Sequence, residues 1–204
     1  MGFSKAQLKK DIKKVFEDMQ SDDDFAEGLA KACKDFGESG DVVTTDAGTV
    51  SSGVFAGSGS GGLTLSDSLM SEPIKTCCAT MKTITTGGDE LLATAIGTGI
   101  LAMTSAGTVN TDVTGVTTSP QGSPVPPSSG KAKGTITCQN AGLISSLIQC
   151  FKDMKDNAFD EGFDGDDYFA GEMADYVNDY FTAGVIATSG QGALSGTTGA
   201  GSIS

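Results

Sequence analysis

Residues 55–66 read FAGSGSGGLTLS, and Gly57, Gly59 and Gly62 spell G-x-G-x-x-G. That spelling belongs to the turn that cradles a dinucleotide pyrophosphate. The turn needs a strand before it, a helix opening at its last glycine and an acidic residue about 20 positions on. Here Leu63-Thr64-Leu65-Ser66 follows instead, alternating apolar and polar as a short strand does. A phosphate-binding P-loop is excluded as well, because no Gly-Lys-Ser/Thr occurs. The stretch reads as glycines that permit a chain reversal and close backbone approach before a short strand.

Two other Gly-rich tails resemble it, SGKAKGTITC at 129–138 and TGAGSIS at 198–204. Upstream of each tail stands the same succession of signals. Ile12, Val15, Phe16 and Met19 fall at i, i+3, i+4 and i+7, one face of a helix, as do Ile74, Cys77, Cys78 and Met81, and Leu147, Cys150, Phe151 and Met154. Each set is followed by an acidic break: SDDD at 21–24, GGDE at 87–90 and DGDD at 164–167. A second helical run comes next: FAEGLAKACKDF, LLATAIGTGILAM and YFAGEMADYVNDYF. Then a glycine suited to a left-handed helix C-cap introduces a β-like tract: ESGDVVTT, SAGTVNT and TAGVIAT.

The period of about 65 residues predicts an α+β fold of three internal repeats, 1–66, 67–138 and 139–204, forming one domain together. Each repeat is a helical hairpin followed by short strands. A unit of this length buries too little surface alone, so the three pack around a shared core. The middle repeat carries SPQGSPVPPSSG at 119–130, an exposed Pro/Ser loop.

Composition narrows the function. The chain has no His and no Arg; all 13 basic residues are Lys. The commonest general base and zinc ligand is therefore missing, and so is the bidentate clamp for phosphate or carboxylate. A formal charge of −13 disfavours direct contact with nucleic acid. No apolar run reaches membrane-span length, and the N-terminus lacks a signal-peptide pattern. We expect no enzyme activity and no catalytic, cofactor-binding or metal-binding residues, in a protein made in a cytoplasm and soluble until it assembles.

Three features invite other readings. Asp160, Asp164, Asp166 and Asp167 could offer oxygens to Ca²⁺, or to a metal-dependent enzyme site at Asp164 and Asp166. They lack EF-hand spacing and stand where a helix starts, so the expectation is N-capping, repeated in all three acidic breaks. Cys77 and Cys150 align with Val15, and Cys78 aligns with Phe16 and Phe151, which reads as core filling; a disulfide involving Cys33 or Cys138 stays open. Finally, residues 1–20 hold five lysines against three acidic residues, and residues 151–181 hold ten acidic residues against two lysines. Either these are solvated faces, or the first repeat of one subunit docks near the third of the next, building a ring or filament.

A helical hairpin followed by tails such as AGTVNTDVTGVTTSP (106–120), SPVPPSSGKAKGTITC (123–138) and AGVIATSGQGALSGTTGAGSIS (183–204) resembles small structural proteins of tailed-bacteriophage virions. The likeness covers most of the chain as repeat rhythm and assigns no residue roles. It implies a virion component, a head accessory, neck or tail protein, that acts by assembly with other virion proteins and as a homo-oligomer. The alternative is a secreted or surface-exposed adhesive or filament subunit, for which the missing signal peptide and the absence of Trp are unfavourable.

Overall fold

A computed structural model describes residues 2–138 and 142–204, so the first residues of the third expected unit, 139–141, lie outside the described part. It is a mixed helix-and-strand protein in which six helices cover one end of a closed six-stranded barrel. The helices are α1 (Lys5–Asp18), α2 (Asp22–Ser39), α3 (Ser68–Met81), α4 (Gly88–Ser105), α5 (Leu143–Asn157) and α6 (Gly165–Thr182). The strands are β1 (Val42–Val50), β2 (Gly53–Thr64), β3 (Thr108–Thr118), the two-residue β4 (Pro124–Val125), β5 (Ser129–Thr137), β6 (Val185–Gln191) and β7 (Thr197–Ile203). Helix, helix, strand, strand is thus the order three times over, with β4 inserted between β3 and β5.

Every strand pairs antiparallel with its neighbours, β1–β2–β3–β5–β6–β7, and β7 returns to β1 with Val42 opposite Ile203. Closure removes both sheet edges. The helices close in the same way: each packs on the next, and α6 packs on α1. Leu8, Ile12, Leu29, Ile74, Ile100, Leu147, Met173 and Phe181 belong to a single buried core in the middle of this ring. That core continues into the mouth of the barrel through one apolar residue per strand: Val42, Leu63, Val109, Ile136, Ile186 and Ile203. A second buried cluster, Val50, Phe55, Val113, Ala132 and Leu194, fills the far end.

The stretch at 55–66 is almost wholly strand β2. Alternation puts Phe55, Gly57, Gly59, Gly61 and Leu63 on one face, and Phe55, Gly59 and Leu63 are buried. A six-stranded barrel is narrow, so its inward positions favour glycine wherever strands crowd. A Cβ on Gly61 would strike the Asn110 carbonyl oxygen; on Gly134 it would strike that of Ala187, and on Gly201 that of Val43.

Four expectations need correction. The glycines of 57–62, expected to reverse the chain before a short strand at 63–66, instead run through strand β2, which ends at Thr64. Gly40, Gly107 and Gly184, expected as left-handed C-caps, all lack positive φ. They lie in close packing instead: a Cβ on Gly40 would sit 2.5 Å from the Phe3 ring, on Gly107 2.7 Å from the Leu65 side chain, and on Gly184 2.7 Å from the Ile136 side chain, so these neighbours would have to shift. The acidic breaks do not all cap. Ser21 and Asp164 accept the Asp24 and Asp167 backbone N–H at 3.1 and 3.0 Å, whereas α4 starts at left-handed Gly87 without a side-chain cap. Asp89 and Glu90 in its first turn serve only the helix dipole. The 119–130 segment is exposed, but it is partly strand: Pro124 and Val125 pair with Thr118 and Thr117, and Ser129 opens β5.

Candidate functional site

None of the sites the sequence suggested is assembled as chemistry. The G-x-G-x-x-G run is strand, with no helix opening at Gly62 to present its N–H groups to a phosphate. Asp164 caps α6, Asp166 and Asp167 lie in its first turn, and Asp160 lies in the preceding connection, where its N–H donates to the Asn157 carbonyl at 2.9 Å. Among the described residues no group of three or more His, Cys, Asp or Glu side chains is placed to hold a metal ion. The five cysteines are all free thiols. Burial pushes Cys33 and Cys150 up to about 12 and Cys138 up to about 11, so they stay protonated and behave as small apolar side chains.

The oppositely charged ends meet within one chain. Lys9 reaches Asp167 at 2.8 Å, Lys13 reaches Asp164 and Asp167 at 3.2 Å, and Lys5 pairs with Asp175. These pairs line the α1–α6 seam that closes the helix ring, so three of the lysines and three of the aspartates behind the docking expectation meet within one chain. They are half-exposed, and each contributes little individually.

Their pH dependence is nonetheless directional. The Asp167 N–H first, then Lys13, hold the Asp164 carboxyl below its ordinary value; Lys9 first, then Lys13, do the same for Asp167. A carboxylate lowered in the folded state stabilises above its unfolded pKa, near 4, and loses that contribution as pH falls through the folded value. We therefore expect thermal stability to decline below about pH 4. The Lys9→Ala/Lys13→Ala variant should show a shallower decline in melting scans from pH 6 to pH 2, and an equally steep one would refute the assignment.

The molecular surface divides into three regions. A groove of about 800 Å³ runs between α1, α2 and α3, but Asp11, Lys14, Glu27, Lys31 and Glu72 line it with charges of both signs. The connection from α5 to α6 carries Phe159, 99% exposed amid acidic residues. The third region is the barrel wall. Across the contiguous strands β6, β7, β1 and β2, the only charged residue is Asp46, and it points inward. The outward side chains there are Thr, Ser, Ala, Gln and the exposed valines Val43, Val54 and Val185. Charged outward residues return only on β3 and β5, with Asp112, Lys131 and Lys133.

One buried polar group escaped sequence reasoning. Asp46 is 0% exposed at the centre of the barrel, accepting hydrogen bonds from Thr44 Oγ1 at 2.5 Å and Thr188 Oγ1 at 3.1 Å. Its signal was available in Val42-x-Thr44-x-Asp46, an acid in the apolar phase of an alternating strand, where Val109-x-Thr111-x-Val113 has valine.

No family model matches the chain, and neither curated proteins nor solved structures include a significant match. No helix of the described residues is long and apolar enough to cross a membrane.

Proposed function

We propose that this chain is a non-enzymatic structural subunit of a tailed-bacteriophage virion, a head accessory, neck or tail component made in the host cytoplasm and acting by protein–protein assembly. The observation that carries this reading is the uncharged four-strand wall on a chain of net charge −13. Interface cores are depleted in charge, and a wall without charged side chains avoids the large cost of desolvating ions. The barrel has no free edge, so association proceeds face to face rather than by strand addition.

Three internal repeats around the barrel axis are part of the same proposal. Val42-x-Thr44, Val109-x-Thr111 and Ile186-x-Thr188 open the first long strand after each helix pair, and Gly61-x-Leu63, Gly134-x-Ile136 and Gly201-x-Ile203 close the strand that returns. The inward pattern recurs three times, but the outward surface is uncharged only on β6, β7, β1 and β2, and homo-oligomers would be built through that one wall.

The test is a Val43→Glu/Val54→Lys variant. Both side chains are more than half exposed, so melting should stay near the wild-type value. In a phage lacking the native gene, the wild-type chain should band with intact particles in a density gradient, and the variant should remain at the top. Wild-type protein that never bands with particles would overturn the virion reading. A variant that bands normally would overturn the role of the wall.

A further inference from the structure

We propose that the barrel encloses a binding site for one monovalent alkali cation, formed by the Asp46 carboxylate and the hydroxyls of Thr44, Thr111 and Thr188. Asp46 lies between the apolar layer that meets the helices and the Val50–Phe55–Val113–Ala132–Leu194 cluster at the far end. A carboxyl group withdrawn from water is strongly disfavoured in its charged form, so either a proton neutralises it or a positive charge accompanies it, and the second case is the one proposed. With no Arg or His in the chain, that charge would have to come from a lysine, and none of the described residues makes an ion pair with Asp46.

The second observation is independent of Asp46. Thr44, Thr111 and Thr188 are buried, inward-facing and at matching places on β1, β3 and β6. Two of them donate to Asp46; Thr111, only 3% exposed, has no partner for its Oγ1. Thr111 Cβ borders the same space. The position a Cβ would take on Gly59 is 3.2 Å from Thr111 Cβ and 3.0 Å from Asp46 Oδ2, with Thr44 Oγ1 closer still. On the other side of β1, Asp46 Oδ1 and Thr188 Oγ1 crowd the place of a Cβ on Gly199. Glycines at 59 and 199 therefore keep the centre open to oxygens.

The donor set defines the ligand. The side-chain donors are all oxygens, which selects a hard cation. A single carboxylate neutralises a single positive charge, whereas Ca²⁺ draws on several carboxylates and would leave uncompensated charge here. Thr44 and Thr188 can donate to Asp46 and still offer lone pairs, and Thr111 offers its lone pairs without competition.

The experiment compares melting of the purified chain in lithium, sodium, potassium and tetramethylammonium chloride at equal ionic strength. At least one alkali chloride should raise the melting temperature by roughly 5 °C or more over tetramethylammonium, saturating with concentration. Asp46→Asn, which keeps the shape and removes the charge, should abolish the difference. Thr111→Val should move the half-saturating concentration upward by about tenfold. Should Asp46→Asn fail to fold, Thr111→Val carries the test alone. Identical melting of the wild type in all four salts overturns the proposal, as does an alkali-specific rise that persists undiminished in Thr111→Val.

Discussion

Gly134→Ala is expected to destabilise the protein by about 3 kcal/mol or more, the upper range for overpacking. The added methyl would stand on the Ala187 carbonyl oxygen and 2.7 Å from Thr188 Cα. Both atoms are backbone of the adjacent strand, so no rotamer change relieves the collision. Either β5 separates from β6, breaking the Gly134–Thr188 register, or the barrel distorts around its circumference. Gly62→Ala is the control, because nothing lies within 4 Å of its Cβ position and it lacks positive φ. It should be neutral or stabilise by up to about 1 kcal/mol through the unfolded chain. Urea unfolding followed by circular dichroism measures both. A wild-type midpoint for Gly134→Ala would show that the barrel is wider than described.

The other large effect is expected in the helical layer. Phe181→Ala should cost about 3–5 kcal/mol, a large part of a typical domain's stability. Its ring meets Phe36 of α2 at 6.0 Å, Phe3 before α1 at 5.9 Å and Tyr180 at 5.7 Å between centroids. Gly37 and Leu65 border the same space, since a Cβ on Gly37 would touch both Phe181 and Leu65. Truncation therefore opens a cavity where three helical segments and the barrel mouth join, with rigid backbone around it that collapses poorly. Phe181→Leu restores most of the volume and should recover at least half of the loss. The denaturation midpoint of each variant, at unchanged m-value, decides the matter.

The order of elements was legible because the signals behind it are local. Ile12, Ile74 and Leu147 stand at the same place in three apolar stripes, and all three are fully buried in the helix ring. Alternation in Leu63-Thr64-Leu65-Ser66 predicted a short strand there, and its first two residues are the end of β2, which runs from Gly53 to Thr64. Local rules failed where a residue answers to a distant neighbour. Gly40, Gly107 and Gly184 look like C-caps in their own segments, but none has positive φ, and each packs against a side chain distant in sequence, Phe3, Leu65 or Ile136. Lys5, Lys9 and Lys13 of α1 and Asp164, Asp167 and Asp175 at α6, more than 150 positions apart, form one seam within the chain that no local rule foretold.

Taken alone, the sequence determined that six helices and a set of short strands form, in which order, and which face of each is apolar. Periodicity, caps and turn residues act over a few positions, and they suffice for that. Closure was decided only in three dimensions. Val42 lies opposite Ile203, α6 against α1, and Asp46 beside Thr188 because the last strand has a single free edge to pair with, that of the first. The glycines of FAGSGSGGLTLS show the division: taken locally they suggested a chain reversal, whereas in the barrel they run straight through β2, and a Cβ on Gly57, Gly59 or Gly61 would collide with a neighbouring strand.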